Sequence, residues 1–235
     1  MSSPTLAPRA ETGAAAPVTQ DAVARKARFW DRIARKYAAD PIADSAGYEA
    51  TLARVQCLLS AEQDVLELGC GTGSTALRLA PGTRHFLATD VSSRMIEIAR
   101  EKLAAQPVPQ LSFALADADA DAPEFAPGAY DAVLAFNLLH LVDDLDQALS
   151  LAKQALRPGG LLISKTACIG EMNPLIPYLA LPLMRAIGRA PHVLCFKQPQ
   201  LLAAFARQGL EVLNVERHGT RGKDIRVFIV ARKPS

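Results

Sequence analysis

Between Val65 and Gly73 the chain reads Val-Leu-Glu-Leu-Gly-Cys-Gly-Thr-Gly, an apolar run that enters a G-x-G-x-G turn and continues into helical sequence. Gly69, Gly71 and Gly73 let the backbone turn tightly and approach a ligand, while the free amides that open the next helix can receive a ligand's negative end. The glycines alone are weak evidence. They gain force from Asp90, 21 residues beyond Gly69 at the end of the next apolar run, where an acid can accept both hydroxyls of a ribose. A nucleoside ligand is therefore expected. A dinucleotide turn would read G-x-G-x-x-G, but Ser74 follows Gly73, and Glu67 adds an acid just before the turn. An acid there disfavours a pyrophosphate and suits a cationic ammonium.

The elements that must hold these residues follow from the pattern of apolar runs. Asp64–Leu68, His85–Thr89, Leu111–Leu115, Tyr130–Phe136 and Leu161–Thr166 are short and apolar, and helical segments lie between them. That alternation predicts a mainly parallel sheet covered on both faces, an α/β, Rossmann-like doubly wound fold. Ser92 or Ser93 can cap the helix after the second strand. Asp143 and Asp144 give the helix after the fourth strand an acidic start, and Arg157-Pro-Gly-Gly160 is expected to end it. Leu210–Glu216 and Ile225–Ala231 predict a terminal hairpin. From Asp21 to Cys57 the pattern is mostly helical, with Phe29, Trp30, Ile33 and Tyr37 on one face.

With these residues in place the chain resembles the class I S-adenosylmethionine-dependent methyltransferases, especially small-molecule enzymes like those of quinone biosynthesis. The resemblance covers roughly Phe29 to Lys233, and Glu67-Leu-Gly-Cys-Gly-Thr-Gly73 is its most specific part. It implies a seven-stranded sheet with the last strand antiparallel and S-adenosyl-L-methionine as cofactor. Carried over by position, Gly69, Gly71 and Gly73 would shape the loop under the methionine part, with Glu67 at its ammonium. Asp90, with Val91 beside it, would hold the ribose. Asp117 and Ala118 would contact the adenine amino group, Asn137 would face the methionine end, and Tyr37 would close over the cofactor.

His140, three residues past Asn137, is the candidate base for an acceptor that must lose a proton, since histidine titrates near working pH. Lys165 leaves the fifth strand on the cofactor side and reads otherwise as a solvated loop lysine. Arg221 and Lys223 could bind an acidic substrate. The apolar insert 170–199, with Leu175, Ile176, Tyr178, Leu179, Leu181 and Leu183, is expected to form a lid over the acceptor pocket. It suits a lipid-like or aromatic acceptor and leaves room for contact with a membrane surface.

Composition narrows the classes. Of 235 residues 50% are hydrophobic and 21% charged, which excludes disorder and collagen-like repeats as descriptions of the whole chain. A net charge of +2 is too balanced for sequence-independent nucleic-acid binding. Asn137-Leu-Leu-His140 also lacks the Pro-Pro-aromatic continuation of amino-methylating DNA enzymes. The partner expected is a small-molecule methyl acceptor, not nucleic acid. Cys57, Cys70, Cys168 and Cys195 stand far apart with no metal-ligand spacing, so no metal is expected. Each reads as a reduced, buried residue of a cytoplasmic protein. Residues 1–20 read as a flexible leader and 21–235 as one domain. The apolar stretch Met172–Met184 is too short, and too broken by proline, to span a bilayer. The sequence carries no signal for an oligomeric state. Two further functions remain open: a nicotinamide-dependent oxidoreductase, and a non-catalytic S-adenosylmethionine-binding regulator.

Overall fold

The computed structural model describes residues 19–176, 180–186, 190–220 and 224–235. Seven strands form one sheet in the order β3-β2-β1-β4-β5-β7-β6. They are β1 Asp64–Leu68, β2 His85–Asp90, β3 Leu111–Leu115, β4 Tyr130–Phe136, β5 Leu156–Ala167, β6 Glu211–Glu216 and β7 Arg226–Arg232. β1 to β5 pair in parallel, whereas β7 runs antiparallel to both β5 and β6. The terminal hairpin is thus inserted with its second strand inside and its first at the edge, the Rossmann-like arrangement with an antiparallel last strand.

The helices are α1 Gln20–Ala39, α2 Ser45–Gln56, α3 Ser74–Leu79, α4 Ser93–Ala105, α5 Leu145–Ala155, α6 Leu181–Ala186 and α7 Gln198–Arg207. The central strands β1, β4 and β7 feed both faces, which explains their near-continuous apolar sequence. Leu66, Leu68, Val133 and Ile229 pack with Leu149 of α5 and Phe205 of α7. Val65, Ala132, Leu134 and Phe228 point the other way, with Leu52 of α2, Leu79 of α3 and Ile96 of α4. Helix α1 lies outside these layers and joins α4 through Trp30, Ala34, Met95 and Ile98.

Caps fix the helix starts. Ser92 caps α4, and Asp144 caps α5 by accepting from Gln147 N at 3.0 Å. The mostly helical span from Asp21 to Cys57 forms two helices, α1 and α2, separated around Asp40-Pro41, because proline disfavours helical backbone at the residue before it. Arg157-Pro-Gly-Gly160 is not a plain helix end. β5 already begins at Leu156, and its register to β4 shifts between Tyr130↔Leu156 and Ala132↔Leu161. Pro158 cannot donate to the ladder and Gly159 has φ +77°, so the four residues Arg157–Gly160 form an irregular stretch within the strand. Arg157 then ties this stretch to Asp131 and Asp64, at 2.6 and 2.9 Å.

Of the expected leader, residues 1–18 lie outside the described residues, while Thr19 caps α1. Tyr178, Leu179, Arg221 and Lys223 also lie outside them. No helix among the described residues is long and apolar enough to cross a membrane.

Candidate functional site

The parallel register aligns the strand ends that carry the predicted residues. Leu68 pairs with Thr89 and Ala135, and Asp90 pairs with Leu115, so the segments that follow β1 to β4 emerge on one edge. Ligands gather at such carboxyl ends in parallel sheets. A cavity opens there, lined by Glu67, Gly69, Gly71, Asp90, Val91, Asp117, Ala118 and Asn137, with Lys26, Trp30 and Tyr37 of α1 on its outer side.

The glycine loop divides its labour. All three glycines have positive φ, at 65°, 55° and 74°, a conformation that costs an L side chain energy. At Gly71 a Cβ would find only Tyr37, at 3.7 Å, so this glycine leaves the cavity open. Gly73 departs from the expectation. It does not line the cavity, and a Cβ there would lie 2.7 Å from Phe113 and 2.9 Å from Ala99. Its missing side chain lets α3 and the loop pack against α4 and β3, so its service to a ligand is indirect. Lys102 of α4 braces the same loop, donating to Thr72 and Ser74 at 2.8 and 2.9 Å.

Three carboxylates meet in the cavity. Glu67 is 2% exposed, and its Oε2 has no hydrogen-bond partner. Burial, then the charge of Asp90, pushes its carboxyl up to about 8. Asp90 accepts from Gly71 N and Ser92 N, each at 2.9 Å, which fixes its carboxylate against the loop. Burial outweighs those bonds and raises it to about 6. Buried acids held above the ordinary carboxylate range suit a cationic or hydroxyl-bearing ligand, which would favour their ionised forms, and disfavour a pyrophosphate.

Asp117 is not part of a solvated acidic loop. Lys26 of α1, 8% exposed, reaches both of its oxygens at 2.7 and 2.8 Å and is also paired with Asp119. Asp119 in turn accepts from Asp143 N and Asp144 N. Although buried, Asp119 is held below the usual carboxylate range by these bonds, whereas burial and the neighbouring Asp119 raise Asp117. One lysine therefore clamps the loop after β3 to α1 and, through Asp119, to the start of α5.

A second cavity adjoins the first. The two share Tyr37, Cys70, Thr75, Phe136 and Asn137, and they share none of Asp90, Val91, Asp117 or Ala118. Contact is therefore at the Glu67 and glycine-loop end and away from the nucleoside acids. Tyr37, half exposed, stands T-shaped to Trp30 with ring centres 6.4 Å apart. Asn137 has φ +52° and its N–H donates to Lys165 O at 2.6 Å. Left-handed backbone outside glycine concentrates at functional positions, and asparagine is among the residues that tolerate it best.

His140 corrects another expectation. It lines neither cavity, and its Nδ1 lies 2.9 Å from Thr166 Oγ1. Burial lowers it to about 4, so it is neutral at working pH and serves packing between the β4 and β5 ends. Nor does any described residue of the insert 170–199 line either cavity. Asp40 to Asp44, between α1 and α2, form that wall instead. Leu175, Leu183 and Met184 stand exposed, while Phe196 is buried with α7. Among the cysteines, Cys70 and Cys168 are buried as expected, but Cys57 and Cys195 are exposed.

Sequence reasoning missed Lys26, Lys102, Arg226 and Thr51; Lys165, expected on the cofactor side, lines the second cavity and at 6% exposure is not a solvated loop lysine. Lys26 had a signal: it lies four residues before Trp30 and eleven before Tyr37, on the face assigned to the aromatics. The others depend on long-range packing that no local pattern encodes.

Residues 65–160 match a family model described as a methyltransferase domain. The polyketide synthase ThaQ of Burkholderia thailandensis is 35% identical over 125 residues, which are 49% of this chain and 6% of the synthase. The chain thus spans a small part of the curated relatives it matches. A SAM-dependent methyltransferase of Thermotoga maritima has a similar structure, with TM-score 0.65 and 22% identity, covering 88% of this chain and 99% of that one. The CurJ carbon methyltransferase superposes with TM-score 0.58 and 24% identity, over 75% of this chain and 50% of that one.

Proposed function

We propose that this chain, which carries a class I S-adenosylmethionine-dependent methyltransferase domain, transfers the cofactor's methyl group to a small apolar or amphipathic molecule. The observation that carries the reading is the buried carboxylate Glu67, with an unpartnered oxygen beside the glycine loop and Asp90 in the same cavity. When bound, S-adenosylmethionine supplies a methyl group on a positively charged sulfur. Glu67 would hold its ammonium, Asp90 its ribose hydroxyls, and Asp117 with Ala118 its adenine amino group. Tyr37 and Asn137, which belong to both cavities, mark where donor and acceptor would meet.

The protein's task is then to hold the acceptor's lone pair in line with the methyl and to keep water out; placement of this kind supplies much of the acceleration. A neutral amine needs no base. With His140 outside both cavities, the assignment rests on placement and not on that imidazole. The relatives' synthase context supports a small organic acceptor, and the exposed Leu175, Leu183 and Met184 suit an amphipathic one or a peripheral membrane contact. Four free cysteines fit a reducing cytoplasm.

The nicotinamide alternative meets Glu67 beside the glycine loop, where a pyrophosphate would have to lie, and a glycine spacing that does not suit it. A regulator would bind the same cofactor without turning it over. Thermal stabilisation by S-adenosylhomocysteine beside NADH separates the first pair. A ligand at about 100 times its Kd adds about 2.7 kcal/mol, which at about 2–4 °C per kcal/mol moves the midpoint by several degrees. A shift with S-adenosylhomocysteine alone is expected, and a shift with NADH alone would replace methyl transfer by redox chemistry. Release of S-adenosylhomocysteine from the methyl donor with an acceptor present then distinguishes an enzyme from a regulator.

A further inference from the structure

The second cavity holds a buried cation, Lys165, for which the described residues provide no ion pair. Lys165 Nζ donates to Thr51 Oγ1 at 2.8 Å and lies 3.5 Å from Gly47 O; among the described residues it pairs with no carboxylate. The acids whose charge it feels are Asp44 and Asp224; Asp44 is engaged elsewhere, and Asp224 binds Arg226 through Oδ1 while its buried Oδ2 has no hydrogen-bond partner among the described residues. Asp44 accepts from Gly47 N, Thr220 N and Thr220 Oγ1. Asp224 accepts from Arg226 through its backbone N and its Nε, each at 3.0 Å.

Arg226 also lines the cavity, and its charge repels that of Lys165. Asp40 lies on the same wall but is exposed, where water screens it. Ile42, Leu52 and Phe136 add apolar surface, beside the polar Thr72, Ser74, Thr75 and Asn137. A buried ammonium without a counter-ion is costly, and an anion arriving at the cavity would relieve it.

We propose that this cavity, resting on the methyltransferase reading, takes an acceptor with an anionic group on an apolar body, the anion seated between Lys165 and Arg226. The shared chemistry is a carboxylate or a phosphate monoester. Octanoate, octyl phosphate and octylamine, titrated into protein saturated with S-adenosylhomocysteine, test it. Octanoate or octyl phosphate is expected to bind and octylamine is not, and the stronger of the two anions identifies the group. Lys165→Met is expected to weaken that anion roughly tenfold or more and to leave S-adenosylhomocysteine affinity unchanged.

Binding of octylamine as tightly as the anions, or binding of none of the three, overturns the proposal. So does an equal loss of S-adenosylhomocysteine in Lys165→Met, which would give the lysine to the cofactor's own carboxylate. Arg226→Gln carries the same comparison if Lys165→Met does not fold. Failure of S-adenosylhomocysteine to bind the unaltered protein counts against the methyltransferase reading, and the anion series repeated without it still decides what the cavity takes.

Discussion

At the scale of single residues, the site is costly to fold and useful when filled. Glu67 is buried with one oxygen unpartnered, so ionising it in the empty cavity costs free energy that a cationic ligand can return. Glu67→Gln keeps the shape and removes the charge. Its ligand-free melting temperature is expected not to fall, while affinity for S-adenosylhomocysteine drops roughly tenfold or more through loss of a charge-assisted hydrogen bond. Calorimetric titration beside a melt checks both, and undiminished affinity would remove Glu67 from the ammonium. Glu67 was legible in the sequence because an acid immediately before a glycine turn is chemically informative by itself. Gly73 was legible only as a glycine: whether it faces a ligand or Phe113 is set by how α4 packs.

At the scale of elements, α1 is held to the sheet's edge by side chains far apart in sequence. Lys26 binds Asp117 and Asp119, and Asp31 accepts from Ser92 Oγ at 2.6 Å and Arg94 N at 3.0 Å at the start of α4. Truncating one partner of a buried ion cluster leaves an uncompensated charge and typically costs about 3–5 kcal/mol. Lys26→Met is therefore expected to lower unfolding free energy by about that much, read by urea denaturation. Adding Asp117→Asn should restore part of the loss, and a mutant as stable as the parent would show that the clamp is unimportant. The helix itself could be read from its apolar spacing. Its partner could not, because Asp117, Asp119 and Asp121 look alike in sequence and only the fold buries the first two.

At the scale of the whole molecule, gathering acids at one edge of the sheet ties stability to pH. Glu67 titrates at about 8 in the folded protein and near 4.3 in an unfolded chain. Between those values the folded state keeps a proton that the unfolded state has lost, so stability falls as pH rises through the window, by up to about 1.4 kcal/mol per unit. Asp90, raised to about 6, adds to the fall below that pH. S-adenosylhomocysteine, by placing an ammonium against ionised Glu67, should offset the fall. The ligand-free melting temperature is expected to decline from about pH 5.5 to about pH 8 while stabilisation by S-adenosylhomocysteine grows; shrinking stabilisation over that range would contradict the assignment. The alternating apolar runs determined the strands, their mainly parallel pairing and the place of the glycine turn, since local periodicity and turn chemistry act within a few residues. Residue type and spacing likewise determined Glu67 and Asp90. Only the tertiary structure decided that Lys26 clamps Asp117, that His140 packs outside both cavities, and that Lys165 is buried beside Thr51. Burial and partner choice depend on which distant segments share a volume, and that is a property of the assembled layers.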